Sequence, residues 1–104
     1  MEAMDLDRVF EALASAPRRQ MLGYLAQGEL TTSDLTQRFA MSAPAVSRHL
    51  SVLENAGLVA SRREGQRVLY ALVRDTLMDA LSTFAVEVGR AAEPARPKKQ
   101  REAI

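Results

Sequence analysis

Leu6, Val9, Phe10 and Leu13 recur at i, i+3, i+4 and i+7, the stripe of an amphipathic helix over residues 5–14. Asp5 and Asp7 fall in its first turn, where the positive end of the helix dipole favours acids. Pro17 suits the first turn of a second helix, because its missing N–H has no intrahelical partner to lose there. That helix buries Met21, Leu22 and Leu25 and is expected to stop at Gly28 in a left-handed conformation. A third helix starts near Thr32, capped by Thr31 or Thr32, with Asp34 in its first turn; it runs to about residue 40 and buries Leu35 and Phe39. After the short turn Met41-Ser42, Ser42 caps a fourth helix with Pro44 in its first turn. Val46, Leu50 and Leu53 form its buried stripe, and Gly57 ends it.

The hydrophobic period then changes. Residues 58–63 and 66–72 flank Glu64-Gly65, a hairpin signal with glycine at the tight position. Alternation sends Val68, Tyr70 and Leu72 to one face and Arg67, Leu69 and Ala71 to the other. A last helix over residues 75–91 carries Leu77, Leu81, Phe84 and Val88 at helical spacing. Two helices joined by a short turn and followed by a hairpin predict a mainly α (α+β) fold. The expected architecture is a winged helix-turn-helix of five helices with a two-stranded β-hairpin wing. The domain spans residues 1–93. Residues 94–104, with two prolines and four basic side chains, are expected to be a disordered tail. That tail either adds phosphate contacts or simply frays and keeps the protein soluble.

A length of 104 residues fits a single domain with no room for a second. Seventeen alanines predict helices packed closely on small side chains. The absence of cysteine excludes disulfides, thiolate zinc sites and thiol redox chemistry. Apolar runs of only a few residues cannot span a bilayer, and the acidic first residues show no secretory h-region, so the expected compartment is the cytoplasm.

A net charge of +1 conceals a gathered positive segment. Residues 38–67 hold Arg38, Arg48, Arg62, Arg63 and Arg67 against Glu54 and Glu64, whereas the flanking segments 1–37 and 68–93 are acidic. Such a segment calls for an anionic partner. With Val46, Leu50 and Leu53 pointing inward, the fourth helix turns Pro44, Arg48, Ser51 and Asn55 outward, flanked by Ala45, Ser47 and Val52. A small, hydrogen-bonding face around one arginine fits against base edges in a major groove about 12 Å wide. Arg48 is the candidate for a bidentate contact to guanine, and Ser42, Ser47 and Ser51 for phosphates or bases, with capping an equal role for Ser42. Arg62, Arg63 and Arg67 cluster around the hairpin tip, where a wing meets backbone phosphate or minor groove. His49, the lone histidine, sits at the edge of the buried stripe and is expected to be satisfied by a backbone carbonyl. With no nucleophile–base pair, catalysis is not expected.

Residues 42–59 (SAPAVSRHLSVLENAGLV) resemble the recognition-helix signature of the ArsR/SmtB family of bacterial winged-helix repressors. Residues 14–22 (ASAPRRQML) resemble that family's second-helix motif, and residues 63–70 (REGQRVLY) its wing. The cysteine-free pattern is most similar to the SdpR-type autorepressor branch. The resemblance implies a homodimer that binds an inverted-repeat operator in double-stranded DNA and blocks transcription. Pairing would run through the first and last helices, whose stripes hold Leu6, Val9, Phe10, Leu77, Leu81, Phe84 and Val88. The metal sites of the family do not carry over. The third-helix site needs cysteines, and residues 29–35 have none; the last-helix site needs Asp-x-His, and here Asp75 is followed by Leu77. No metal and no other cofactor is therefore expected. Two alternatives stay open: control by a small organic inducer or partner protein near the dimer interface, and a winged helix used for protein interaction without a specific DNA target.

Overall fold

Four side chains start the first four helices by accepting a backbone N–H that would otherwise lack a partner. Asp5 caps α1 (Leu6–Leu13), Ser15 caps α2 (Ala16–Leu25), Thr31 caps α3 (Thr32–Thr36) and Ser42 caps α4 (Ala43–Asn55). Thr31 and Asp34 form a reciprocal capping box, with both side-chain-to-backbone bonds at 3.0 Å. The computed structural model describes residues 4–92. A short strand β1 (Leu30–Thr31) precedes α3; β2 (Val59–Glu64), β3 (Arg67–Leu72) and α5 (Arg74–Ala92) follow α4.

The sheet is antiparallel in the order β1-β3-β2, with Leu30 opposite Tyr70. It thus has a third strand that the sequence pattern did not announce, because two residues carry no visible alternation. In the hairpin Glu64 pairs with Arg67, so the loop is Gly65-Gln66, one residue later than expected. The first loop position needs a positive φ, and Gly65 supplies it at +64°.

Two helix ends also differ from expectation. α2 stops at Leu25 rather than Gly28. Gln27 and Gly28 close tighter turns onto Tyr24 and Leu25 at 3.1 and 3.2 Å, and Gly28, with φ 158°, leaves nearly extended towards β1. α3 ends at Thr36, well short of residue 40. Tighter turns of 3₁₀ type follow, Arg38 N–H donating to Leu35 O and Phe39 N–H to Thr36 O, and Phe39 meets the Tyr24 ring edge-on at 5.7 Å. Phe39 is therefore half-buried at the side of the core, and residues 37–42 form a longer connection to α4 than the short turn expected.

Val9, Met21, Leu35, Val46, Leu50, Leu53 and Leu58 are completely buried at the centre, joined by the small residues Ala12, Ala56 and Ala80. Removing a side chain such as Leu50 from water contributes about 1.5–3 kcal/mol, so these positions set the orientation of α4. Beyond Ala80, α5 leaves the core and its residues through Arg90 are exposed.

Candidate nucleic-acid interface

The buried stripe of α4 holds its opposite face to solvent. Pro44, Ser47, Arg48 and Ser51 are exposed and Ala45 is half-buried, with no acid on that face before Glu54. Ser42 Oγ accepts from Ala45 N at 3.3 Å while remaining exposed, so capping leaves it at the surface. Arg48 enters no ion pair or side-chain hydrogen bond among the described residues, which leaves its planar fork of donors open.

The wing arginines do not form the single cluster expected of them. The register Val59–Leu72, Ser61–Tyr70, Arg63–Val68 places these six residues on one face of the hairpin, the face whose Tyr70 and Leu72 pack on the core. Ser61 Oγ donates to Glu54 Oε2 of α4 at 2.8 Å on that face, and Arg63 lies two positions further out towards the tip. Arg63 makes no ion pair among the described residues. Arg62 and Arg67 are on the other face and are already occupied. Arg62 donates to both carboxylate oxygens of Glu29, at 2.7 and 3.3 Å, and to Glu64 at 3.2 Å; Arg67 donates to Glu64 at 2.7 Å. Hydrogen bonds from Arg62 hold the Glu29 carboxyl below its ordinary range, and those from Arg67 and then Arg62 do the same for Glu64. The two acids in turn push the Arg62 guanidinium up. Glu29 is thus a functional candidate that the local pattern did not offer; its partner is 33 residues away and no periodic signal links them. A cleft between Thr32 and Ser33 of α3 and Gln66 and Arg67 of the wing opens beside this network.

His49 departs from expectation as well. Its Nδ1 lies 3.2 Å from Arg18 Nη1, not against a backbone carbonyl. Arginine can only donate, so Nδ1 accepts and a neutral ring carries its proton on Nε2. Arg18 also donates to Ala12 O at 2.7 Å and Glu11 O at 3.1 Å, and so clamps the end of α1 to α4 next to Arg48. Burial first, then the charges of Arg18 and Arg48, push the imidazole below its ordinary 6.5.

The residues expected at a dimer interface divide in two. Val9 is fully buried within the protomer and so is withdrawn from that set, while Leu6 and Leu77 are half-buried against the protomer's own core. Phe10 meets Phe84 edge-on at 5.3 Å, and Leu81, Phe84 and Val88 stay 42%, 48% and 50% exposed along α5. Met78 is exposed beside that stripe, whereas Val86 is exposed on the other side of α5. The basic tail lies outside the described residues. Among those described, no helix is long and apolar enough to cross a membrane.

A family model described as the bacterial regulatory protein, arsR family, matches residues 16–61, which run from α2 through α4 into β2. The chain is 32% identical over 77 residues to the transcriptional repressor SdpR of Bacillus subtilis, covering 74% of this chain and 86% of that protein. Several other curated relatives are covered over only 51% to 62% of their length. A crystal structure of the ArsR family transcriptional regulator RHA00566 superposes with a TM-score of 0.78 at 29% identity, covering 88% of this chain and 93% of that one. The solution structure of the homodimeric winged helix-turn-helix DNA-binding domain Mb0332 from Mycobacterium bovis gives a TM-score of 0.67 at 31% identity, covering 85% and 82%.

Proposed function

From the premise that this chain belongs to the arsR family of bacterial regulatory proteins, we propose that it represses transcription as a homodimer on an inverted-repeat operator in double-stranded DNA. It is a winged helix-turn-helix transcriptional regulator, and the repressor named among its relatives supports the direction of control. The observation that carries the reading is the outer face of α4, where Ser47, Arg48 and Ser51 are exposed and Arg48 is unpaired among the described residues. In this reading α4 lies in the major groove and Arg48 reads a guanine. Arg63, on the α4 side of the wing, takes adjacent phosphate. Arg62 and Arg67 contribute mainly by holding the wing.

The exposed stripe Leu81, Phe84 and Val88, with Phe10 beside it, supplies the apolar surface for pairing two copies, as the homodimeric relative supports. Twofold pairing sets half-sites about one helical turn, roughly 34 Å, apart or a multiple of it. The domain of residues 1–93 acts in the cytoplasm, and the DNA upstream of its own coding sequence is the first operator to try. Fluorescence anisotropy against that DNA and a scrambled duplex at two salt concentrations tests the reading. Preference for one duplex supports it, and equal, salt-abolished binding to every genomic fragment selected would favour a protein-interaction module.

A further inference from the structure

We propose that the groove between α2 and α5 is a binding site for a small amphipathic carboxylate, a medium-chain aliphatic or aromatic acid. α2 turns Leu22 towards α5, with Ala26 just past its end, and α5 turns Leu77 and Leu81 back, but the two helices stand apart. Leu13, at the end of α1, and Leu72, at the end of β3, complete the apolar lining. The resulting cavity of about 400 Å³ falls within the size range of small-molecule sites. A Cβ built on Gly23 meets nothing within 4 Å, so the α2 wall is open along its middle.

Charge decides the class of occupant. Arg19 and Arg74 are exposed members of the same lining. Each is steadied by one bond to a carbonyl at a helix end: Arg19 Nη1 to Leu13 O and Arg74 Nη2 to Ala26 O, both at 2.6 Å. Neither enters an ion pair among the described residues, so most donors of both guanidiniums remain available. Arg19 stands in the first half of α2, and Ala26, whose carbonyl anchors Arg74, lies just past its C-terminal end, so the two backbone positions are about 10 Å apart along the helix axis. An apolar trough with a cation at each end suits a molecule that is mostly hydrocarbon and ends in a carboxylate. The rival occupant is a second copy of the chain. Covering the groove with the apolar stripe Leu81, Phe84 and Val88 would leave two guanidiniums desolvated without a counter-charge, a cost that a carboxylate removes.

Leu77 and Leu81 belong both to this groove and to the α5 stripe assigned above to dimer pairing. A bound acid would therefore sit at the margin of that interface, and its effect on DNA release rests on the homodimer reading. Binding itself does not, and it is measured on the DNA-free full chain. Calorimetric titration with octanoate is expected to be saturable and about tenfold or more tighter than with octanol, with octylammonium not binding. Gly23→Met fills the trough without cost to α2, since glycine is the poorer helix former, and should abolish octanoate binding while the thermal melt is retained. Arg19→Gln and Arg74→Gln should each weaken it several-fold. Equal affinity for octanoate and octanol, or binding undiminished in Gly23→Met, overturns the proposal. So does a Gly23→Met variant that sediments as monomer where the parent is a dimer, because the groove then belongs to a second copy.

Discussion

Arg62 and Glu29 are joined by a two-point ion pair, Nη2 to Oε1 at 2.7 Å and Nε to Oε2 at 3.3 Å, that ties the wing to the residue leading into β1. Arg62 uses its third nitrogen on Glu64, which also holds Arg67. An arginine that charge patterning offers to DNA is thereby committed to fixing where the wing stands. Two effects then oppose each other at Glu29. Removing an acid near a polyanion should strengthen binding, whereas loosening the wing should weaken it. We expect the second to prevail, because Arg62 loses its two-point partner and the wing loses its ion-pair tie to the segment leading into β1. Glu29→Gln should lower operator affinity several-fold in an anisotropy titration with little change in melting temperature, and the swap Glu29→Arg with Arg62→Glu should recover part of the loss. Tighter operator binding by Glu29→Gln contradicts this assignment.

Arg63 should behave as a plain phosphate contact. Its Ala variant is expected to weaken binding to specific and scrambled duplexes alike, and to reduce the log–log salt slope by about 0.9 for each phosphate lost. Arg67→Ala, which frees Glu64 from one partner, should change that slope less.

Much of this was legible in the chain. The caps at Ser42 and Thr31, the stripes of α1, α2 and α4, and the hairpin all rest on local chemistry, and local chemistry is what a sequence displays. The outward face of α4 could be read for the same reason: once Val46, Leu50 and Leu53 point inward, 100° per residue places Arg48. What could not be read depends on distant partners. Glu29 with Arg62, and Arg18 with His49, meet only after the chain has folded back on itself. Val9 sits on the same stripe as Leu6 and Phe10, and only packing against α2 and α4 separates the residue that is sealed from those left near the surface. The early end of α3 was likewise not legible: no breaker marks it, and the ring contact that accompanies it, Phe39 against Tyr24, joins residues 15 apart.

His49 should make stability pH-dependent. Its folded pKa lies below the ordinary 6.5, so between those two values the unfolded chain binds more protons and stability rises with pH. The contribution is complete above about 6.5 and is lost as pH falls towards the folded value. Thermal melts taken from about pH 8 down to about pH 5.5 should show this loss. His49→Asn keeps an acceptor facing Arg18 but cannot titrate, and should flatten that part of the profile.

Phe84, 48% exposed, should tolerate a charge within the protomer but not between two copies. Phe84→Glu is expected to leave the circular dichroism spectrum unchanged, to sediment as a monomer and to lose most operator affinity. A variant that remains dimeric would remove α5 from the pairing surface.

The central claim is that α4 reads base sequence through Arg48, and the most direct test is the binding preference of Arg48→Ala. Titrated at one fixed salt concentration against its operator and a scrambled duplex, the parent protein should favour the operator strongly. The variant should lose about 1–3 kcal/mol of that discrimination while keeping its weak affinity for the scrambled DNA. If Arg48→Ala discriminates between the two duplexes as well as the parent does, α4 does not read DNA through Arg48 and the account fails.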